Sequence, residues 1–390
     1  MPPRGIAVAG CGIAGLAAAL LLHRDGHRVT LFERFDHPRP LGSGLLIQPT
    51  GQAVLRALGL EAELVARGAP VTRLVGHAGA RCVLDVRYAA LKRGGVGIGV
   101  HRATLFGILH APVRASGIAV ETGRDITGCR DGRLYFADGT RTERFDLVVD
   151  AMGCRSPLVP TTPPLAFGAL WADLDWADGF IPNALQQRYR GASVMAGVLP
   201  IGTPHHAKAP RAAQFWSLRG DRHADWRATG LAPWKDAVAS LWPATAPLLD
   251  QIVDPQQLTF ASYAHRTLRQ PVADRLIHIG DSWHSTSPQL GQGANMALLD
   301  AYALALGLRR CRTLGDALGE AIRLRRDQIQ LYQLLSRVLT PVYQSDGAAI
   351  PWLRDRVMGP VSKLWPFTAV QAALVSGTVG HPLARLGLSE

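Results

Sequence analysis

Two groups of residues have the types and spacing to do chemistry. The first is Gly10-Cys11-Gly12-Ile13-Ala14-Gly15, with Glu33 eighteen residues beyond Gly15. In such a run the first glycine permits a tight turn and the second lets a pyrophosphate approach the main chain. The third lets a helix pack closely on a strand. An acid at the distance of Glu33 accepts the hydroxyls of an adenosine ribose. The second group lies far along the chain. Asp281 ends an apolar run, and Ser287-Pro288-Gln289-Leu290-Gly291-Gln292-Gly293 aims main-chain N–H groups and a helix dipole at a point beyond it. That arrangement stabilises negative charge. Together the groups predict an adenine dinucleotide whose reactive end needs an anion-stabilising site.

The flanking elements must position both groups. Ile6 to Ala9 reads as a buried parallel strand, followed by a helix to His23, a turn at Asp25-Gly26-His27 and a second strand, Arg28 to Phe32. A bare glycine pattern is weak evidence, but this one has the strand before it, the helix after it and the acid at the right distance. Leu276 to Ile279 reads as another strand, and Gly293 or Ala294 starts a helix running to Leu308. In open α/β sheets, ligands sit beyond the carboxyl ends of strands.

Between these groups, Gly42-Ser43-Gly44 leads a short strand, and Gln48-Pro49-Thr50-Gly51 starts a helix that stops at Gly59. Residues 71–94 read as two strands and a turn. Gly97 to Leu109 reads as a strand and a helix with Arg102 at the junction. An arginine at a helix start is poorly placed for the dipole, so an anion such as a pyrophosphate is a reasonable partner. Residues 118–150 read as a β-meander. Residues 161–271, rich in proline and tryptophan, read as a mainly antiparallel domain interrupted by one helix, Trp234 to Leu241.

From Leu314 the chain reads as helical until Pro341 interrupts it. Trp352, Leu353, Trp365, Phe367 and the run Ala369 to Val379 follow, with Arg354, Arg356 and Lys363 beside them. A helical cap, a dimer contact and a peripheral membrane contact all fit that composition, so monomer and homodimer both stay open.

A chain of 390 residues holds about two domains. The formal charge is +12, yet only four of 42 basic residues are lysines and the arginines are scattered. Clusters such as Arg309-Arg310-Arg312 lack interleaved aromatics, which argues against nucleic acid as a partner. Five separated cysteines make no metal or disulfide spacing, and His205-His206 has no third ligand at useful distance. No metal is expected. With no run of transmembrane length, the expected location is cytoplasmic.

The paired motifs resemble those of the single-component (group A) FAD-dependent monooxygenases, the para-hydroxybenzoate hydroxylase-like family. The match to its second motif runs through Gly280, Asp281, Pro288, Gly291, Gly293, Asn295 and Asp300. The resemblance implies a Rossmann-like FAD-binding domain (1–70, 95–160 and 272–320), a mostly antiparallel β-sheet substrate domain (71–94 and 161–271) and a C-terminal helical region (321–390). It implies FAD held by Gly10, Gly12, Ala14, Gly15, Glu33, Arg34, Gly44, Arg102, Asp281, Pro288, Gly291, Gly293, Ala294 and Asn295. NAD(P)H would be a transient reductant and dioxygen a co-substrate. The implied reaction is hydroxylation or epoxidation of a small apolar aromatic or unsaturated molecule through a flavin C(4a)-hydroperoxide.

Tyr189, Trp216, His284 and Pro288 are the pocket candidates, although the first three read more readily as packing residues. One departure stands out. The family's Gly-Ala-Asp-Gly-x-x-Ser motif reads Asp150-Ala151-Met152-Gly153-Cys154-Arg155-Ser156 here, with methionine in place of the aspartate. Asp150, two residues earlier, is a candidate substitute for that carboxylate. The departure puts ordinary NAD(P)H use in doubt, and it leaves as alternatives an FAD oxidase or dehydrogenase, or a non-catalytic flavin-binding partner in a biosynthetic complex.

Overall fold

The computed structural model describes residues 2–37, 44–205, 207–358 and 364–389. Gly42, Ser43, His206 and Lys363, singled out above, lie outside the described residues.

The apolar run Gly5–Ala9 forms the centre of a six-stranded sheet. It pairs in parallel with Arg28–Phe32 and with Leu147–Asp150. Ala119–Glu121 and Leu276–His278 extend the sheet in parallel, and Val272–Ala273 closes one edge antiparallel. Side chains alternate across it: Ile6 and Val8 enter the core shared with helices Ile13–Arg24, Arg102–Ala115 and Gly293–Arg310. Ala7 and Ala9 face the hairpin Ile126–Arg130 with Arg133–Phe136. Covered on both faces, these strands need continuous apolar sequence, as IAVA and LVV provide.

The meander expected over 118–150 is therefore split. Ala119–Glu121 and Leu147–Asp150 join the parallel sheet at separate places, and only the middle two strands make a hairpin. Short apolar runs do not distinguish the two pairings by period.

The second large sheet has seven strands, in the order Thr259–Ala261, Phe167–Asp175, Arg211–Arg219, Val194–Pro200, Ala184–Arg190, Arg73–Ala78, Arg81–Arg87. It is antiparallel except where Ala184–Arg190 meets Arg73–Ala78. The segment 73–87, distant in sequence, thus adds two strands to its edge. One face carries Leu170, Ala172, Val198, Ala212 and Trp216 against a helical cover that includes Trp234, Val238 and Trp242. That cover has three helices, His223–Thr229, Leu231–Leu241 and Ala246–Leu249, where one was expected. Gly230 and Pro243, which punctuate it, are the signals that separate them. The opposite face carries Trp171, Leu199 and Ala213 against Leu46 and Tyr88, next to the dinucleotide-binding elements.

The helix Leu314–Tyr343 runs on through Pro341, which sits in its final turn and so costs the helix only one main-chain bond at its end. The expected boundary at 320/321 falls inside this helix. Among the described residues no helix is long and apolar enough to cross a membrane.

Candidate active site

Each glycine of the first motif has a distinct steric reason. Gly10 has φ of +102°, and a Cβ there would lie 2.8 Å from the Ala151 carbonyl oxygen. A Cβ on Gly15 would lie 1.9 Å from the Gly10 carbonyl oxygen, so only glycine lets this helix seat on its strand. A Cβ on Gly12 would meet nothing within 4 Å. Gly12 opens on space, as a phosphate cradle requires. It is also the N-cap of Ile13–Arg24, with no side chain capping the helix. The first-turn N–H groups are therefore left for a ligand. Glu33, at the end of its strand, accepts from the main-chain N–H of Cys11 (3.0 Å) and of Phe35 (3.2 Å), which fixes its carboxylate beside the turn. Arg34 is exposed, its guanidinium 4.6 Å from the Phe35 ring centre.

The second motif converges on the first. Gly280 takes φ of +61°, and a Cβ there would lie 3.3 Å from both Ala14 and Ala297. Ala14 therefore serves by being small where the two helices and this turn meet. The Gly280 N–H donates to Asp300 Oδ2 (2.9 Å), which leaves Asp281 facing the cleft. The Asp281 carboxyl makes no hydrogen bond among the described residues. Although Asp281 is exposed to the cleft, the protein walls around it raise its pKa by desolvation, Asp300 adds to the rise, and His284, Arg102 and Arg266 oppose it. A carboxylate so placed is ready to accept hydroxyl donors. The helix Gly293–Arg310 also lacks a side-chain cap, and a Cβ on Gly293 would lie 4.0 Å from Asp281 Oδ1.

Asn295 ties the Pro288–Gly293 loop to the neighbouring strand. Its Nδ2 donates to the carbonyls of Leu46 (3.1 Å) and Gly291 (3.0 Å), and its Oδ1 accepts from the Gln48 N–H (2.8 Å). Gln48 is fully buried. Its Oε1 accepts from the Tyr88 hydroxyl, while its Nε2 has no partner. That orphaned donor lies near Gly291, with Nε2 3.9 Å from where a Gly291 Cβ would be. Arg102, the first residue of Arg102–Ala115, makes no hydrogen bond or ion pair among the described residues. Arg266 is buried, with Nε on the Thr162 hydroxyl (3.0 Å), Nη2 on the Cys154 carbonyl (3.0 Å) and Nη1 unpaired. Open glycines, uncapped helix starts, a buried amide N–H and an Arg266 Nη1 without partners among the described residues, and Arg102 at a helix start fit a long dianionic ligand with a polar ring system, as FAD is.

Other residues sit differently from the sequence reading. Gly44 packs toward the second sheet, where a Cβ would lie 2.6 Å from that of Ala213. Trp216 lies on the far face of that sheet and is excluded from the pocket side by strand alternation. His284 is buried and donates through Nε2 to Asp300 Oδ2 (2.6 Å), so it braces the turn rather than lining a pocket. Tyr189 is on the near face with Met195 and Phe215, its hydroxyl on Gln187 Oε1 (2.8 Å). Pro288 and Ala294 lie in the loop and first helical turn beside Asp281.

Asp150 does not stand in for the missing acid. It is wholly buried: Oδ1 accepts from the Met152 N–H (3.0 Å), and Oδ2 accepts from the Ser156 hydroxyl (2.6 Å) and His278 Nδ1 (2.8 Å). The turn at Ala151 redirects it inward. Sequence reasoning missed Gln48 and Arg266. A polar residue directly before a helix-starting proline was the only signal for Gln48, and Arg266 had none.

Fold and site together define an FAD-dependent oxidoreductase built on a dinucleotide-binding sheet. The chain matches the FAD binding domain family over residues 5–134 and 202–317, more than half its length, and belongs to it as a single-component, para-hydroxybenzoate hydroxylase-like monooxygenase. It is 27% identical over 376 residues to aurachin C monooxygenase/isomerase of Stigmatella aurantiaca, covering 92% of this chain and 94% of that one. It is 27% identical over 354 residues to 6-hydroxynicotinate 3-monooxygenase of Pseudomonas fluorescens, covering 82% and 88%. Among solved structures, the tetrameric form of 2-methyl-3-hydroxypyridine-5-carboxylic acid oxygenase superposes with a TM-score of 0.79 at 20% identity, covering 98% of each chain.

Proposed function

We propose that this enzyme inserts one oxygen atom into a small, uncharged, largely apolar aromatic or unsaturated molecule, with NAD(P)H as transient reductant. The observation that carries the substrate class is the aromatic wall on the face of the second sheet turned toward the dinucleotide-binding elements. Trp171 and Phe215 have ring centres 4.7 Å apart, with Phe215 laid over Gly197, and Tyr189 and Tyr343 continue the wall at 5.5 Å. The cation behind this wall, Arg354, is fully engaged. Its Nε pairs with Asp355 (2.7 Å), and Nη1 and Nη2 donate to the carbonyls of Val342 (3.1 Å) and Gly191 (3.0 Å). It lies 4.8 Å from the Tyr189 ring and 5.5 Å from the Tyr343 ring. Its N–H groups are therefore unavailable to a substrate carboxylate.

FAD, when bound, supplies the two-electron and dioxygen chemistry. The chain's own residues do the rest. Glu33 and Asp281 would accept the hydroxyls of FAD, Gly12 and Arg102 would receive its pyrophosphate, and the start of Gly293–Arg310 would offer N–H groups to its ring. The aromatic wall excludes water, which protects oxygen transfer from a wasteful release of peroxide. An oxidase needs no such dry roof. Burial pushes the Tyr263 phenol up to about 12, so it stays a neutral donor and accepts from Trp171 Nε1 (3.0 Å).

We infer a dinucleotide unit (1–70, 95–160 and 272–313), a sheet domain (71–94 and 161–271) and a C-terminal region that begins with the helix Leu314–Tyr343 rather than at residue 321, and five free thiols suit a cytoplasmic setting. Turnover under labelled dioxygen tests the reaction. One labelled atom in the product and one in water is expected; stoichiometric hydrogen peroxide with unlabelled oxidised product would place the enzyme among oxidases.

A further inference from the structure

Most of the exposed large apolar side chains among the described residues lie in the C-terminal part of the chain, with Val65, Ile181 and Val253 elsewhere. Trp352, Leu353, Leu364, Trp365, Phe367 and Val370 are each at least 49% exposed, Trp365 by 84%. Trp352 and Leu353 belong to Ala349–Met358, while Leu364 and Trp365 precede, and Phe367 and Val370 begin, the helix Phe367–Ser376; both stretches pack on the edge strand Arg81–Arg87. Soluble proteins rarely present such a cluster without an occupant.

The charge of the surface selects the occupant. Arg356 is exposed and stacks over the Trp352 ring at 4.4 Å. Arg337 is exposed beside Val338, on the long helix that this segment packs against. Neither has a carboxylate partner among the described residues. The acids described between 331 and 389, Asp346 and Asp355, are engaged by Arg219 and Arg354. A two-fold contact with a second copy would set this surface on itself, arginine against arginine with no free acid between. An anionic bilayer supplies the missing countercharge. Tryptophan and phenylalanine favour the headgroup boundary, and cations beside them favour anionic lipid.

We propose that this surface docks on the anionic face of a lipid bilayer and takes the apolar substrate from it. The protein lies on the membrane and does not cross it. The position makes chemical sense. Arg354, directly after Trp352 and Leu353 in the chain, is buried against Tyr189 and Tyr343 of the substrate wall. The lipid-facing surface and the pocket wall are thus two sides of one short segment. The delivery part rests on the reading of the substrate as apolar; the docking part does not.

The test uses the full-length, FAD-loaded protein with vesicles of phosphatidylcholine, alone or mixed with phosphatidylglycerol. The expected result is sedimentation with the mixed vesicles, weakened by salt, with blue-shifted tryptophan emission. Trp365→Ser combined with Phe367→Ser, and separately Arg356→Glu, should each weaken partitioning about tenfold, with flavin content and far-ultraviolet dichroism unchanged. Failure to sediment with either vesicle at low salt overturns the proposal. Equal partitioning of the variants does so too, as does conversion of a dimer to monomer by Trp365→Ser, which would make a second copy the occupant. Labelled-oxygen incorporation with a soluble substrate is measured separately. Vesicle binding without incorporation keeps the docking and removes the substrate reading, and incorporation without vesicle binding does the reverse.

Discussion

Arg325 donates through Nε to Asp300 Oδ1 at 2.7 Å in the interior, and this pair holds the turn that directs Asp281 toward the cleft. The chain of bonds continues. Arg325 Nη1 donates to Gln328 Oε1, and Gln328 Nε2 donates to the Gly377 carbonyl (2.9 Å). Gly377 lies against Thr50 and Gln292, and Gln292 belongs to the flavin loop. Through Asp300 on one side and Gln328 on the other, this buried arginine links the Gly280–Asp281 turn to the C-terminal turn. Removing one member of a buried pair costs about 3–5 kcal/mol, because the other charge stays behind. Arg325→Met should lower stability by about that amount in urea titrations. Gln328→Leu, which leaves the ion pair intact, should loosen FAD with a smaller loss of stability, read by flavin fluorescence on dilution.

The two acids of this motif should respond to pH with opposite sign. Burial alone would raise Asp300, but His284 and Arg325 outweigh it and hold the pKa below the ordinary range. Its contribution to stability is therefore complete above about pH 4 and is lost as pH falls through the depressed value. Asp281 is raised by desolvation, so the folded flavin-free protein binds its proton more tightly than the unfolded chain does. Its ionisation weakens the flavin-free fold as pH rises through the raised value. Asp281→Asn should therefore raise the Tm of flavin-free protein at neutral pH and weaken FAD binding in the same preparation. A variant that lowers Tm and leaves FAD affinity alone would contradict this role.

Gly12 and Gly15 should separate binding from folding. An alanine in place of Gly15 would force its Cβ against the Gly10 carbonyl, which is main chain and cannot yield cheaply. Gly15→Ala should therefore cost at least the amount typical of overpacked or strained sites, about 1–3 kcal/mol. Gly12→Ala meets open space at φ of −79°, so its flavin-free Tm should stay near that of the parent while FAD uptake falls. Thermal melts and flavin titration on both variants check the contrast.

These glycines also mark how much was legible in the sequence. Gly10, Gly12, Gly15, Glu33 and the Gly280–Asn295 run are local patterns whose steric reasons act within a few residues, and they could be read directly. Asn295 was legible as a motif position, but its bonds to Leu46 and Gln48 join segments some 250 residues apart. Arg325 and Arg266 carry no local signature, because their partners are assembled only by packing. Trp216 and Tyr189 were equally aromatic in sequence, and only strand register assigns them to opposite faces. Asp150 failed as a substitute carboxylate because an i, i+2 argument holds along a strand, and the strand ends at that residue.

The last prediction concerns Met152. The resemblance assigns a carboxylate at that position to flavin and nicotinamide binding, and here Asp150 cannot supply one: its two oxygens already receive Met152, Ser156 and His278. Glu33 beside the first turn would also repel a 2′-phosphate, and the chain carries no second dinucleotide fingerprint. Any NAD(P)H must then dock transiently near the flavin with one charged acceptor fewer. A hydrogen bond to a charged group contributes about 1.5–3 kcal/mol, equivalent to roughly ten- to a hundredfold in affinity. Anaerobic reduction by NADPH without substrate should accordingly be slow in the native enzyme and faster by about tenfold in Met152→Asp at subsaturating NADPH. Asp150→Asn should instead lower stability, since it weakens the acceptor for His278 and Ser156 inside the turn. Stopped-flow bleaching of the flavin reads the first effect and thermal melting the second. Rapid reduction at the same rate in the native enzyme and Met152→Asp would mean that the nicotinamide does not use this position.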